Sequence, residues 1–431
     1  MSIMRSLNTA ASGIRSHSEA LSVTGDNIAN VNTVGFKRSR ANFQDVLGRS
    51  IAGAGAMDQA GGGSQVGSIQ QMWAQGALMT TDSPTDLALN GNGFFVVDGN
   101  VGGVQGQYYT RAGQFQIDAE GYMVSGDGLR LQGYPADATG SLSGTLGDLQ
   151  VEGGTLSANA TTEVDLAANL DSEAEVPPAW DPTDPEGTSN FSTTVTAYDS
   201  LGNAHEVTVY YRKSGANSWE WHAMADGGEL TGGTAGEPTE GASGTLTFTT
   251  DGALDTETTT ASSWDFVGAT AGQTIEFDHG DSITTDGGTG QAGTTQYASP
   301  SSVIGLSQDG YGAGEVAGIS IAQDGTITGV FTNGQRRTLG QVAVADFASV
   351  DGLERAGQGL WVETQESGEA LVGAAGSGGR GAVVAGALEG SNVDLAREFV
   401  DLIAYQRGFS ANSRIVTTAD EMYTELVNLK R

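Results

Sequence analysis

Few side chains in this 431-residue sequence have the type and spacing that catalysis or metal binding requires. The chain contains no cysteine, which excludes a thiol nucleophile, a thiolate zinc site and a disulfide framework. Its four histidines show neither an HExxH pattern nor another metal-ligand spacing: His17, His205, His222 and His279. His279 stands in an Asp-His-Gly-Asp segment that could hold a surface cation, although a solvated turn is the favoured interpretation. Histidine and cysteine chemistry therefore provide no candidate centre.

Motifs for nucleotide binding and hydrolysis are equally weak. Gly376, Gly378 and Gly381 match the GxGxxG pattern, but no strand–helix–strand pattern surrounds them. The sequence has no GxSxG nucleophile elbow and no phosphate-binding P-loop motif. With 52 acidic side chains, chance carboxylate pairs are expected, so none stands out as a glycosidase pair. We therefore predict a protein that is not an enzyme, with no catalytic residue, no cofactor and no metal ligand.

Charge is distributed unevenly along the chain. The net charge is −33, yet the first 50 residues carry six basic and three acidic side chains. The last 40 residues carry five basic and six acidic ones, which leaves −35 for residues 51–391. Because like charges repel where chains pack, we expect packed ends and a solvated middle; an acidic surface kept for solubility is the alternative. The acidity argues against nucleic-acid binding, and the absence of a long apolar run argues against membrane insertion and a cleaved signal peptide.

Both ends of the chain carry apolar heptad repeats that predict long helices. The repeats run over four positions at one end and five at the other: Leu7, Ile14, Leu21 and Ile28, then Leu395, Leu402, Phe409, Val416 and Tyr423. The companion heptad positions are less regular and include polar His17, Glu398 and Asn412. Such repeats favour a coiled-coil-type seam, formed either within one chain or, as we favour, between chains. We expect the first helix to stop within residues 30–35 and the second to start at a Ser391–Asp394 capping box.

The region between the helices has the features of β-structure. Short apolar or alternating runs are separated by eight Asp-Gly and three Asn-Gly dipeptides, which favour tight turns. Segment 172–190 holds half of the eight prolines and predicts a surface loop. Segment 48–68 is rich in Gly and Ala and predicts a flexible or extended connector, with chain freedom supplied by its glycines: Gly53, Gly55, Gly61, Gly62 and Gly63.

Several segments together resemble the bacterial flagellar rod and hook proteins. The N-terminal motif includes Asn27, Asn30, Thr33, Gly35 and Phe36, and the C-terminal one includes Gln406 and Asn412. Inner segments resemble the family as well: 89–97, 109–115, 131–134 and 386–394. Residues 198–202 (Tyr-Asp-Ser-Leu-Gly) resemble a segment in the outer domain of hook subunits. The resemblance is strong over residues 1–150 and 296–431 and weak between them.

The resemblance implies a mixed α and β multidomain fold, with terminal helices packed as a coiled-coil-like inner layer and nested all-β outer domains. The expected division is residues 1–32 with 390–431 as the inner helical domain, 33–75 as a linker, 76–150 with 296–389 as a middle β domain, and 151–295 as the outer β domain. Near-neutral helical ends and an anionic β middle agree with this division.

The function implied by the resemblance is that of a hook subunit, which polymerises into a short curved tube and transmits torque as a universal joint. Implied partners are further copies of the chain, the distal rod protein, the hook–filament junction protein, the hook cap and the flagellar type III export apparatus. The implied location is the flagellar hook, outside the cell, after type III export without a cleaved signal. Two alternatives remain: a distal rod protein, and a secreted acidic β-rich protein that binds carbohydrate or cations on a helical stalk.

Overall fold

The computed structural model of the chain describes residues 2–47, 61–151 and 155–428. The described residues form two compact units. Unit 1 draws on Met1–Gly153, Gly318–Val330 and Arg336–Arg431, and unit 2 on Gly154–Ala317 and Phe331–Gln335. No helix in the described ranges is long and apolar enough to cross a membrane.

The helices and strands follow the expected pattern of helical ends around β-structure. The described residues contain the α-helices α1 (Ser2–Ala29), α2 (Pro185–Thr188) and α3 (Leu395–Asn428), with short 3-10 helices at Gly227–Glu229 and Val350–Gly352. The strands are β1 (Ser39–Leu47), β2 (Gly61–Gln71), β3 (Leu78–Thr80), β4 (Leu87–Asn90), β5 (Phe94–Val101), β6 (Val104–Thr110), β7 (Phe115–Ile117), β8 (Met123–Ser125), β9 (Arg130–Pro135), β10 (Gly147–Asp148), β11 (Glu163–Asp171), β12 (Phe191–Tyr198), β13 (Ala204–Gly215), β14 (Ser218–Asp226), β15 (Pro238–Phe248), β16 (Leu254–Ser262), β17 (Glu276–Asp278), β18 (Thr295–Tyr297), β19 (Ser302–Gln308), β20 (Val316–Ile321), β21 (Thr326–Phe331), β22 (Arg336–Asp346), β23 (Glu354–Gly357), β24 (Leu360–Val362), β25 (Leu371–Ala374), β26 (Ala382–Ala385) and β27 (Ala387–Glu389).

The two long helices end and begin for identifiable local reasons. α1 ends just before Asn30, at the start of the segment where the sequence predicted its end. α3 begins one residue after Asp394, whose carboxylate accepts hydrogen bonds from the backbone N–H groups of Ala396 (2.9 Å) and Arg397 (3.4 Å). Asp394 therefore caps the helix, and the predicted capping box led by Ser391 is wrong, because the Ser391 hydroxyl accepts from the Val393 N–H before the helix starts.

The first two strands form an antiparallel hairpin against α1. Ser39 of β1 pairs with Gln71 of β2, and the pairing continues to Asp45 and Ser64. Residues 61–68, predicted as part of a flexible or extended connector, belong to this paired strand, so they are extended but held by pairing with β1. Gly53 and Gly55 lie outside the described residues.

The β-structure of unit 1 is a mixed-order sheet built mainly from antiparallel pairs. Its main path runs β20-β21-β22-β9-β5-β6-β24-β23. Strand β5 is buried over four consecutive residues, from Phe94 to Val97, and separates two apolar clusters. One cluster contains Phe95, Phe115 and Val344. The other is aromatic and contains Phe94, Tyr109 and Trp361.

Unit 2 consists of two sheets around one apolar core. Strands β12 to β16 form a five-stranded antiparallel sheet in chain order, while β11 pairs with β17, β18 and β19. Alternate residues of β13 and β14 face the core, as half-buried sheets require. Trp219, Trp221 and Trp264 are fully buried there. Because β18 and β19 pair with β11, residues 296–317 lie in unit 2, whereas the sequence assigned them to the middle domain.

Three features singled out in the sequence have structural roles in the described regions. His279 is fully buried, not in a solvated turn or at a surface cation site: its ring nitrogens lie 2.6 Å from Glu257 Oε1 and 2.9 Å from the Tyr211 hydroxyl. Gly376 and Gly378 have positive φ in the turn between β25 and β26, so the GxGxxG match is a turn. In the proline-rich segment, Trp180 is half-buried and stacks on His222 at 3.9 Å between ring centroids.

The Tyr198–Gly202 segment forms the tight connection between β12 and β13. The Asp199 side chain is buried and accepts hydrogen bonds from the N–H groups of Leu201 (2.8 Å) and Asn203 (2.9 Å). Burial opposes ionisation of Asp199, but hydrogen bonds from Asn203, His205 and Leu201 outweigh it and hold the pKa of this carboxyl below its usual value. The turn is thus stabilised by an ionised carboxylate.

We predict that Asp199→Asn lowers the free energy of unfolding of unit 2 by about 1–3 kcal/mol at neutral pH, because buried N–H donors lose a charged acceptor. The folded-state pKa lies below the unfolded value, so the stabilisation is present above pH 3.8 and is lost as the pH falls further. The difference in unfolding free energy between wild type and Asp199→Asn should therefore become smaller below pH 3.8. Thermal unfolding from pH 7 to pH 2.5 measures this difference, with Asp251→Asn, at an exposed residue, as the control. A difference that stays constant with pH would contradict the role of the ionised Asp199 carboxylate.

Candidate assembly site

The terminal helices pack against each other in opposite directions. Near the middle of α1, Gly13 lies against Asn412 of α3, and one turn further His17 lies against Gly408. At the end of α1, the Asn27 side chain donates to Glu398 Oε2 at 3.1 Å. As residue numbers rise on α1 they fall on α3, so the helices form an antiparallel pair.

The seam between the helices is built from the companion heptad positions. Ala10 and Thr24 of α1 and Glu398 and Ala419 of α3 are buried. His17 lies between two aromatic rings, 5.5 Å from Phe43 of β1 and 6.2 Å from Tyr405 of α3, measured between ring centroids. The residues that broke the apolar pattern in the sequence therefore lie inside the helix pair.

Two glycines let the helices approach closely at the polar residues. A Cβ at Gly13 would lie 2.8 Å from the Asn412 side chain, and a Cβ at Gly408 would lie 2.6 Å from the His17 ring. Asn412 itself donates to the Gly408 carbonyl at 2.9 Å. Each polar side chain thus occupies the space over a glycine of the opposite helix, which fixes the register of the pair.

The principal apolar stripes lie at the flank of this seam or in solvent. All four predicted residues of α1 are only half-buried: Leu7, Ile14, Leu21 and Ile28. On α3, Leu402 and Val416 are half-buried, while three others are exposed: Leu395 (40%), Phe409 (37%) and Tyr423 (58%). Further apolar side chains of α3 are exposed by 46–65%: Phe399, Val400, Ile403, Ile415 and Met422. A single chain therefore leaves much of the apolar surface of α3 uncovered.

A groove runs along the outer side of α3. It has a volume of about 630 Å³ and is lined by Ile403, Gln406, Arg407, Ser410, Ala411, Arg414 and Ile415. Gln406, a residue of the family motif, is exposed here and does not lie in the helix seam. The groove combines an apolar floor with two arginines.

The hairpin covers another side of α1 through small residues. Ser16 Oγ lies 3.0 Å from Ser64 Oγ, and the Ser64 N–H donates to Ser12 Oγ at 3.3 Å. Gly63 has φ +104°, and a Cβ there would lie 2.0 Å from Ser12 Oγ. Gly63 is therefore required for close packing against α1, which differs from the freedom expected of a connector.

The N-terminal motif residues lie where α1 meets the β-structure. Asn27 is buried, donates to the Ser39 carbonyl (2.8 Å) and accepts from the Ser39 N–H (2.8 Å), which joins α1 to β1. Asn30 and Thr33 hydrogen-bond to each other in the turn after the helix, at 3.1 Å. Gly35 has φ +69°, and a Cβ there would meet the backbone of residues 111–112 at 2.6 Å. The next residue, Phe36, is buried.

Glu389, at the end of β27, lies beside this motif and is fully buried; it belongs to the family-like segment 386–394, but the sequence assigned it no role. Glu389 Oε1 accepts from Lys37 Nζ at 2.6 Å and from the Gly76 N–H at 2.8 Å. Its other oxygen accepts from Arg111 Nη1 at 3.1 Å. Burial lowers the pKa of Lys37 and of Arg111, while the charge of Glu389 opposes this effect in both. A charged residue within the apolar run Ala387–Glu389 was the available sequence signal.

A second buried ion pair joins the hairpin to α3. Arg38 is paired with Glu398, and its Nη2 lies 3.6 Å from Asp401 Oδ2. The Arg38 N–H donates to Asn392 Oδ1 at 2.7 Å, and the Asn392 amide donates to the Met72 carbonyl at 2.7 Å. Glu398 was visible in the sequence as the acidic residue of a companion heptad position.

An acidic cluster in unit 2 is the one group in the described residues with metal-ligand geometry. Oxygens of Glu163, Asp165 and Asp278 lie within 4.8 Å of one another on the surface. The neighbouring charge of Asp165 raises the pKa of Glu163. These carboxylates face each other across β11 and β17 and form a repulsive surface row.

Comparison with family models covers most of the chain. Residues 7–37 match the flagella basal body rod protein model, and 88–169 match the flagellar hook protein FlgE/F/G D1 domain. Residues 169–311 match the flagellar basal body protein FlaE D2 domain, and 384–429 match the flagellar basal body rod FlgEFG protein C-terminal model. The Asn27–Phe36 motif and the α3 motif both lie within these matches.

Curated relatives match over their full length. The flagellar hook protein FlgE of Borreliella burgdorferi is 36% identical over 99% of this chain and 100% of its own length. Those of Treponema pallidum and Salmonella typhimurium are 35% and 34% identical, over 100% and 99% of this chain and all of their own length. The crystal structure of Helicobacter pylori flagellar hook protein FlgE2 aligns with a TM-score of 0.50 at 15% identity, covering 71% of this chain and 98% of that one. This last likeness concerns the fold alone.

We predict that Gly13→Ala and Gly408→Ala each weaken the helix pair. Alanine normally stabilises a helix relative to glycine by about 1 kcal/mol, but here its Cβ would displace Asn412 or His17. Gly25→Ala is a matched control on α1, because no atom lies within 4 Å of a Cβ there. Far-UV circular dichroism during heating should show earlier loss of helix for the first two variants and later loss for the control. Equal stabilisation by all three would contradict the seam.

Proposed function

The chain belongs to the flagellar hook protein family and is a structural subunit of the hook of the bacterial flagellum, and from this premise we propose that α1 and α3 form the packed inner layer of the hook. Hook subunits polymerise, so each copy meets others of its kind. In our proposal, the apolar surface that α3 leaves uncovered is buried by the helices of neighbouring copies. The observation that carries the proposal is the polar seam of the helix pair combined with the exposed apolar outer side of α3.

Hydrophobic burial supplies the energy for this packing. On the outer side of α3, Val400 is 65% exposed and Ile403 is 48% exposed. The groove between Arg407 and Arg414 lies on the same helix. Contiguous apolar surface of this kind marks interaction sites in soluble proteins. Complete burial of an aliphatic side chain contributes about 1.5–3 kcal/mol, so a few such residues per copy suffice for ordered assembly.

The five-stranded sheet of unit 2 has the surface expected for contacts that change. Threonine hydroxyls on its outer face pair with each other: the Oγ1 atoms of Thr245 and Thr258, and those of Thr247 and Thr256, lie 2.6 Å apart. Tight binding depends on a few buried aromatic or arginine anchors, and a hydroxyl and carboxylate surface offers few of them. We propose that unit 2 makes weak polar contacts that slide as the curved tube rotates and each row of subunits lengthens and shortens.

The other proposed partners are the flagellar proteins that lie next to a hook. We propose that the hook built from this chain joins the distal rod protein at one end and the hook–filament junction protein at the other, and that a hook cap guides assembly. Export by the flagellar type III apparatus fits a chain without cysteine. These interactions concern copies at the ends of the polymer or the chain before it assembles.

We predict that Val400→Asp and Ile403→Asp block polymerisation while the monomer keeps its fold, because both side chains are exposed in the single chain. A carboxylate buried in an apolar contact costs several kcal/mol, and each 1.4 kcal/mol raises the critical concentration about tenfold. Electron microscopy of cells and sedimentation of the purified chain measure assembly.

The matched control is Leu201→Asp, which places the same charge on a residue of unit 2 that is 63% exposed. We expect this variant to assemble, since the contacts of unit 2 are proposed to be weak and polar. Normal hooks from the Val400 and Ile403 variants would refute the proposed packing of the helices.

A further inference from the structure

Two consecutive residues, Lys37 and Arg38, connect the pair of helices α1 and α3, here called the helical base, to the β-structure of unit 1. They occupy the extended segment between the turn after α1 and the first residue of β1. In extended backbone, successive side chains point to opposite sides. One cationic side chain is therefore directed to the β-structure, and the next is directed to α3.

The Lys37 side is a closed ionic cluster in the β-structure. Besides Glu389, the Lys37 ammonium donates to the Ala74 carbonyl at 3.1 Å. Arg111, which shares Glu389 with Lys37, donates to the Gly91 carbonyl at 2.8 Å through Nη2. The side chains of Lys37, Glu389 and Arg111 are 1%, 0% and 7% exposed. Both partners of the Lys37 ammonium, Glu389 and the Ala74 carbonyl, lie in strands or loops outside the helices.

The Arg38 side is anchored on the helices. Its partner Glu398 lies in the first turn of α3, has a side chain 1% exposed and accepts from Asn27 of α1. The Arg38 guanidinium is therefore attached to both helices through one carboxylate. The peptide unit between residues 37 and 38 is the shortest covalent path between the two clusters.

Buried ion pairs of this kind contribute less to stability than to geometry. The cost of removing charges from water offsets most of their attraction, while correct pairing demands one arrangement of the partners. Charge-assisted hydrogen bonds are also directional, so they resist rotation of one element against another more than apolar contacts do. The clusters would thus hold the helices at a fixed orientation to the β-structure.

We propose that Lys37 and Arg38 act as positioning residues that pass torque between the helical base and the β-structure of unit 1. This inference rests on the role of the chain as a hook subunit. Torque applied to the helices reaches Arg38 through Glu398 and leaves through Lys37 to Glu389 and Arg111. The helices and the β-structure of unit 1 then turn as one body.

The test is the triple substitution Lys37→Met, Arg111→Met and Glu389→Gln in the full chain, produced in the source bacterium in place of the wild type. It removes all three charges of the cluster, keeps side chains of similar length and leaves an amide oxygen at position 389 to accept from the Gly76 N–H. Loss of a charge-assisted hydrogen bond shifts a docking equilibrium by roughly tenfold. We expect the torsional compliance of the hook, measured from a bead tethered to it, to rise by about twofold or more. The thermal midpoint of the monomer should stay near that of the wild type.

The control is Arg130→Met with Asp148→Asn, which removes an ion pair of the same unit whose side chains are 43% and 33% exposed. We expect it to leave compliance unchanged. The single substitution Glu389→Gln leaves two buried cations without a counter-charge and should lower the thermal midpoint and the number of hooks.

Hooks of normal compliance from the triple variant would overturn the inference. Loss of hooks with a lowered thermal midpoint would also overturn it, because the cluster would then only stabilise the fold. Loss of hooks with a normal midpoint would support it, since the subunit would be folded but wrongly oriented for assembly. If the proposed packing of helices between copies is wrong, the Val400→Asp variant will assemble normally, so that outcome is distinguished from failure of the present inference.

Discussion

Burial of the Glu389 carboxylate constrains more of this structure than any other interaction described. A carboxylate without solvent contact must be surrounded by donors, and here Lys37, Gly76 and Arg111 supply them. The backbone carbonyl of Glu389 also accepts a hydrogen bond from the Gly35 N–H, at 2.7 Å. The donors belong to segments separated by up to about 350 residues of sequence. The motif after α1, the end of β6 and the last β-strand must therefore come together for any of them to be stable.

The helix pair has polar residues in its seam and apolar residues on its outer side, a distribution that fits the proposed assembly. Ordinary pairs bury their apolar stripe, but here His17, Asn412 and Glu398 lie in or beside the seam. Polar seam residues reduce stability and fix register and orientation. In the proposed assembly, neighbouring copies cover the apolar residues that the single chain leaves exposed on the outer side of α3. Under that proposal, the chain gives up some stability of the single subunit in exchange for one defined shape of its assembly unit.

Much of the architecture was predictable from sequence because it depends on local periodicity and turn chemistry. The heptads predicted both long helices, and the Asp-Gly and Asn-Gly turns predicted the β middle. The sequence did not indicate which heptad positions of α1 lie in the seam with α3, because the burial of each α1 residue depends on both the β1–β2 hairpin and α3. The roles of Lys37 and Glu389 were hidden for a similar reason, since 352 residues separate them and no pattern in one segment indicates the other. The packing of Gly63 against Ser12 was hidden in the sequence, because a glycine at a close contact looks like any other glycine in a Gly-rich segment.

In the proposed hook, stiffness and compliance come from different kinds of contact within each chain. The helical base and its junction use buried, directional ion pairs and glycine-dependent close packing, which break cooperatively and tolerate little displacement. The five-stranded sheet of unit 2 carries paired threonine hydroxyls, and the like-charged row at Glu163, Asp165 and Asp278, on the other sheet of unit 2, disfavours close permanent contact. In the proposed hook, a rotating curved tube needs both properties at once, because its inner packing must persist while its outer contacts change on every turn. The concentration of excess negative charge in residues 51–391 supports this proposal, because repulsion that would prevent packing of the ends is tolerated where contacts are weak.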